Sequence, residues 1–211
     1  ADTGKYVWHY QYNPREAWDY KATANILIST LTIDGKVRKV VMQAPTNGFF
    51  YVIDRDTGKL ISAEKTGKVD WAERIDPETG RPVERKNIRY ETGDTIIYPS
   101  PLGTHNWQAM SYSPSTGLVY IPYMQLGGHF STNTANGAIA FGGITYEPHV
   151  GPGDGHVALL AWDPVRQKEA WRTPIDTIWR TMFGNTPEFC IEVVRLVPVL
   201  TSDWIRLVAC M

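Results

Sequence analysis

Residues 43–59 constrain the fold of this chain more than any other stretch. Asn47-Gly48 tolerates positive φ, so the backbone can turn tightly there. Phe49-Phe50-Tyr51-Val52-Ile53 is aromatic and β-branched, the composition of a buried strand. Asp56-Thr57-Gly58-Lys59 forms a second turn, because Asp bonds its own backbone ahead and Gly takes the left-handed position. Leu60-Ile61-Ser62-Ala63 then returns as a strand. Loop, strand, turn and strand, with no helix signal, make one piece of a β-blade.

The same turn chemistry recurs. Asp2-Thr3-Gly4-Lys5 leads to Trp8, and Asp163-Pro164-Val165-Arg166-Gln167-Lys168 leads to Trp171 through a degenerate turn. Both tryptophans read as packing between neighbouring blades. Ser115-Thr116-Gly117 lies between two further β-rich runs, and Asp34-Gly35 joins apolar runs at 25–32 and 37–42 as a hairpin signal. Thr3 and Thr57 stand 54 positions apart, and Asp54 and Asp163 about twice that. Long periods of several strands mark propeller blades, since one blade cannot bury both faces alone. Turn spacing in a sandwich carries no such period. The expected fold is all-β: a partial β-propeller of about three four-stranded antiparallel blades, with no helical domain.

Charge narrows the partners. A net charge of −1 and a pI near 6.6 argue against nucleic acid or an anionic membrane held by charge. The run 190–200 is too short and too charged for a membrane span. Cys190 and Cys210 have no metal-ligand spacing, and His129, His149 and His156 fit no helix-face or finger pattern. Residues 69–93 are rich in charge and read as a solvated connection, apart from a turn at Asp76-Pro77-Glu78-Thr79-Gly80. Residues 127–155 read as a long loop over one end of the propeller. Residues 1–179 form the propeller part. Residues 180–211 lose the turn period and read as an aberrant or frameshifted tail, not a native blade.

Taken together, Asp2 to Trp8, Glu16-Ala17-Trp18-Asp19-Tyr20, residues 43–58, His105-Asn106-Trp107-Gln108 and Leu160-Ala161-Trp162-Asp163-Pro164 resemble the quinoprotein alcohol dehydrogenases. These enzymes use pyrroloquinoline quinone and calcium on an eight-bladed propeller. The resemblance runs from residue 1 to about 179 and implies an internal stretch of the propeller domain. It implies oxidation of a primary alcohol in the periplasm, with hydride passing to the quinone. A cytochrome or haem accepts the electrons, and haem c is implied as a further group outside this stretch. No membrane span is expected within it. A second reading, from another class, is a non-catalytic propeller that serves as a binding scaffold.

The resemblance also assigns residues. By composition Asp19 is a turn or cap residue, but in the family the Asp of the Trp-Asp pair is the general base for the alcohol hydroxyl and lies by the calcium ion. Asn106 and Trp107 match residues that contact the quinone; their plain readings are a turn Asn and a core Trp. His105 reads as structural. Thr46 occupies a quinone-facing place where the family carries a lysine or arginine. Threonine can donate a hydrogen bond but brings no charge. A slower enzyme, a compensating group elsewhere and an error in the sequence remain as three explanations.

Overall fold

The structure, a computed structural model, describes residues 2–91, 93–131, 145–147 and 153–175. No helix occurs among the described residues. The tail at 180–211 lies outside them, as do both cysteines and His149.

The first blade is β1 (Leu27–Ile33), β2 (Lys36–Gln43), β3 (Phe49–Asp54) and β4 (Leu60–Lys65), antiparallel in that order. Asp34 and Gly35 close the β1–β2 hairpin at φ 49° and 72°, the left-handed pair that a two-residue turn demands. The second four-stranded blade comprises β8 (Ser111–Ser113), β9 (Leu118–Met124), β12 (Val157–Asp163) and β13 (Lys168–Ile175).

The blade turns share one hydrogen-bond pattern. Asp54 Oδ1 accepts from the N–H of Asp56 and of Thr57 and from Thr57 Oγ1, at 3.2, 2.9 and 2.8 Å. Asp76 repeats this with Glu78 and Thr79, and Asp163 with Val165 and Arg166. Gly58 and Gly80 take φ near 70°, and Gln167 fills the same place at φ 53°. The degenerate turn therefore keeps the shape without the glycine.

Strand β3 is buried on both faces, which explains its unbroken apolar run. Phe50 and Val52, with Val40 and Met42 of β2, pack against Val119, Ile121, Leu160 and Trp162 of the second blade. Phe49, Tyr51 and Ile53 face the other way, toward Trp18, Trp71 and Phe130. Each such side chain contributes about 1.5–3 kcal/mol when fully buried. This interblade core joins the two blades. Trp8 docks on the turn of the first blade, its Nε1 donating to Arg55 O at 2.9 Å. Trp171 is half-buried beside Tyr120.

Two segments differ from their sequence readings. Within 69–93, β5 (Ala72–Ile75) and β6 (Pro82–Glu84) form a hairpin that buries Trp71, Ala72 and Ile75 against Trp18. The charges of Glu73 and Arg74 face solvent and hide these inward residues. Within 127–155, β10 (Gly127–Phe130) pairs with both β7 (Thr95–Ile97) and β11 (Thr145–Glu147). Gly127 and Gly128 serve close approach here: an added Cβ would lie 2.9 Å from the Tyr98 ring and 3.2 Å from Ser100 Cα. His129 lies 3.7 Å from Asp94, and His156 is exposed.

Candidate active site

Strand pairing fixes where the singled-out residues meet. Leu27 opposes Met42, so the segment entering β1 lies beside the loop 44–48 that leaves β2. Asn25 exchanges bonds with the backbone of Met110, donating to its carbonyl at 3.0 Å and accepting its N–H at 2.8 Å. The segment entering β8 therefore lies at the same end. Asp19, Thr46, Asn106 and Trp107 come from three loops at that one end.

Trp18 and Tyr20 anchor the first loop. Trp18 is fully buried, its Nε1 bonded to Ile88 O at 3.1 Å and its ring 4.9 Å from that of Trp71. Tyr20 is buried and donates its hydroxyl to Pro99 O at 2.7 Å; burial holds its pKa well above the usual range. The residues between and after these anchors, Asp19 and Lys21, keep their charged ends partly in solvent.

The backbone at Asp19 is left-handed, φ 60°, a conformation Asp tolerates better than most residues. Glu16 enforces it. One carboxylate oxygen accepts from the N–H groups of Trp18 and Tyr20 at 2.8 and 3.0 Å, and the other from that of Asp19 at 2.9 Å. Three successive amides form a nest around the anion. The Asp19 carboxylate meets Lys21 Nζ at 3.0 Å, with the two side chains 33% and 41% exposed. An exposed pair of this kind adds only about 0–1 kcal/mol to stability. Its consequence is geometric: it orients the carboxylate.

Thr46 is buried and tied to Lys21. Its Oγ1 accepts the Lys21 N–H at 2.7 Å and donates to Lys21 O at 3.2 Å, while its own N–H donates to the same carbonyl at 2.9 Å. The hydroxyl is thus engaged with main chain. Gly103 packs on Thr46 so closely that an added Cβ would come within 2.6 Å of Thr46 Cα. His105 is buried, with Nδ1 2.8 Å from Ala44 O and Nε2 2.8 Å from Gln108 O. Burial lowers its pKa, opposed by those two carbonyls. His105 is a clamp between the two loops, in agreement with its structural reading.

Asn106 caps its own loop, donating from Nδ2 to Leu102 O at 2.8 Å and accepting the Trp107 N–H at 2.9 Å. That matches the turn reading. Trp107 is 47% exposed, so it is not a core tryptophan. An exposed indole beside a clamped turn gives a planar apolar face at the site.

The sequence reading missed Glu16 and Lys21 as site residues. The signal for Lys21 was its place after two aromatic anchors. A nest of amides leaves no signal in side-chain types, so Glu16 had none.

The family model described as the β-propeller domain of PQQ-linked glucose, ethanol and alcohol dehydrogenases matches residues 1–73. Quinohemoprotein alcohol dehydrogenase ADH IIB of Pseudomonas putida is 54% identical over 186 residues, covering 84% of this chain and 26% of that protein. The 1-butanol dehydrogenase (cytochrome c) of Thauera butanivorans is 40% identical over 190 residues, covering 84% and 27%. Among solved structures, quinohemoprotein alcohol dehydrogenase from Comamonas testosteroni superposes with a TM-score of 0.75 at 36% identity, covering 84% of this chain and 28% of that one. A europium-containing methanol dehydrogenase gives 0.73 at 35% identity, covering 82% and 31%. The chain spans about a quarter of the length of the curated relatives it matches.

Proposed function

We propose that the chain is a stretch of the β-propeller domain of a quinoprotein alcohol dehydrogenase, and that it carries part of the catalytic site of an enzyme that oxidises primary alcohols. The observation that carries this reading is the Asp19 carboxylate, held outward on the Glu16 nest at the end where Trp107 is exposed.

The residues present fit one wall of a site for a planar quinone. Trp107 offers an indole face, and Asn106 fixes the loop that carries the indole. Pyrroloquinoline quinone, when bound, supplies the acceptor for the hydride. The chain's own work is proton chemistry and positioning. Asp19 takes the hydroxyl proton of the alcohol as general base, and the buried rings of Trp18 and Tyr20 hold it in place. Thr46 acts on this wall through Lys21, by holding its main chain.

Calcium asks for six to eight oxygen ligands. Among the described residues no group of three or more His, Cys, Asp or Glu could hold a metal; of these residues Asp19 would supply one ligand, with the remaining oxygens coming from other parts of the protein. A haem c or a cytochrome would supply the electron acceptor, in keeping with a periplasmic setting, and the name of the Thauera relative supports a cytochrome. No helix among the described residues is long and apolar enough to cross a membrane. We divide the chain at residue 179, with 180–211 outside the propeller.

The test loads the full-length protein with quinone and calcium and supplies 1-butanol with an artificial electron acceptor. Oxidation that requires both additions is the expected result. Quinone binding without turnover would favour the scaffold reading instead.

A further inference from the structure

Lys21 is fixed at both ends. Its N–H and its carbonyl are both bonded to Thr46, which is buried, so its backbone cannot drift from the loop 44–48. Its side chain then reaches back over Tyr20 to Asp19 at 3.0 Å. Tyr20 in turn is anchored on Pro99 of the third loop. The ammonium contacts one carboxylate oxygen, Asp19 Oδ2, and leaves Oδ1 as the oxygen to which a proton can be delivered. The loop itself has a threonine where a cation is implied, and that threonine holds a lysine by its main chain.

We propose that Lys21 is a positioning residue for Asp19: Thr46 anchors its backbone, and its ammonium pins one oxygen of the Asp19 carboxylate so that the other faces the substrate hydroxyl. This rests on the reading of Asp19 as the base. Lys21 acts through Asp19 and takes no proton from the substrate. Misplacing a catalytic group by about 1 Å costs on the order of 10²-fold in rate. The ion pair is partly exposed, so its loss leaves the fold intact.

The experiment uses the full-length, quinone-loaded protein with 1-butanol, and compares Lys21→Met, Lys21→Arg, Asp19→Asn and the Asp19→Asn/Lys21→Met double variant. Quinone affinity is read separately by absorbance titration, and folding by thermal melt. Lys21→Met should lower kcat by at least about 10-fold, with KM, quinone affinity and melting temperature essentially unchanged. Lys21→Arg should recover most of the loss. In the Asp19→Asn background, Lys21→Met should cost nothing further, because the residue it orients is already disabled. If Lys21→Met keeps full activity while Asp19→Asn is inactive, the proposal is overturned and the base reading stands. An equal loss in both backgrounds also overturns it, since Lys21 would then act independently. Full activity in Asp19→Asn overturns the base reading itself, and this proposal with it.

Discussion

The carboxylate of Glu16 receives the backbone N–H of Asp19 at 2.9 Å, and the amides on either side of Asp19 converge on the same group. An acidic side chain thereby holds another acidic residue in a left-handed turn, with backbone N–H groups between the two charges. The arrangement is local, covering five residues, but it decides where Asp19 points.

Glu16→Ala should therefore impair turnover without touching substrate. Removing the nest anion frees Asp19 from φ 60°, and kcat should fall about 10-fold or more. Glu16→Gln keeps one accepting oxygen and should fall less. Steady-state kinetics of the two variants beside wild type check the order. Equal activity of Glu16→Ala and wild type would show that Tyr20 and Trp18 alone set the loop.

The turn glycines offer a controlled comparison of strain with collision. Gly35 and Gly58 share φ near 72°, but an added Cβ at Gly35 meets nothing within 4 Å, whereas at Gly58 it comes within 2.6 Å of the Trp8 ring. Gly35→Ala should cost about 1 kcal/mol, from strain alone. Gly58→Ala should cost at least about 2 kcal/mol, because Trp8 must also leave its bond to Arg55. Denaturant unfolding measures both. A smaller loss for Gly58→Ala would remove Trp8 from the account of how the segment before β1 docks.

His105 makes stability depend on pH. Burial lowers its pKa below 6.5 in the folded protein, so the unfolded chain takes up the proton first. Stability is complete above pH 6.5 and declines as pH falls from there through the folded value. Asp70, raised above 3.8 by burial, has the opposite sign: the unfolded chain loses its proton first, and stability falls as pH rises from 3.8. Melting temperatures at pH 7.5 and 5.5 should therefore differ in wild type and differ less in His105→Gln. An unchanged difference in the variant would assign the slope to another group.

The first blade was legible in the sequence because its signals are local. Asp54-Arg55-Asp56-Thr57-Gly58 bonds within itself, and Asp34-Gly35 takes the left-handed φ that Asp and Gly tolerate, so residue types alone specify both turns. The hairpin at 72–84 was not legible. Its strands are three and four residues long, too short for a period, and Trp71 is buried by Trp18, far away in sequence. Strand β10 was hidden for another reason: Gly127 and Gly128 look like loop residues but are there for close packing. The site was half legible. Asp19 and Trp107 stood out through the family resemblance, while the bonds between Thr46 and Lys21 depend on a meeting of loops that no spacing reveals.

Thr46→Val separates anchoring from charge. It removes the hydroxyl bonds to Lys21 but keeps size and burial. About 1–3 kcal/mol of stability should be lost, because the Lys21 N–H loses its partner. The kcat should fall with it, as Lys21 loosens. Normal kinetics in Thr46→Val would separate the loop from the orientation of Asp19.

The central claim is that Asp19 is the base, and one variant tests it most directly. Asp19→Asn keeps the shape of the side chain and removes its capacity to take a proton. In the full-length protein with quinone and calcium, kcat for 1-butanol should fall at least about 100-fold, as for loss of a general base. Quinone affinity, titrated by absorbance across a range of calcium concentrations, should change far less. Undiminished kcat in Asp19→Asn would contradict the account.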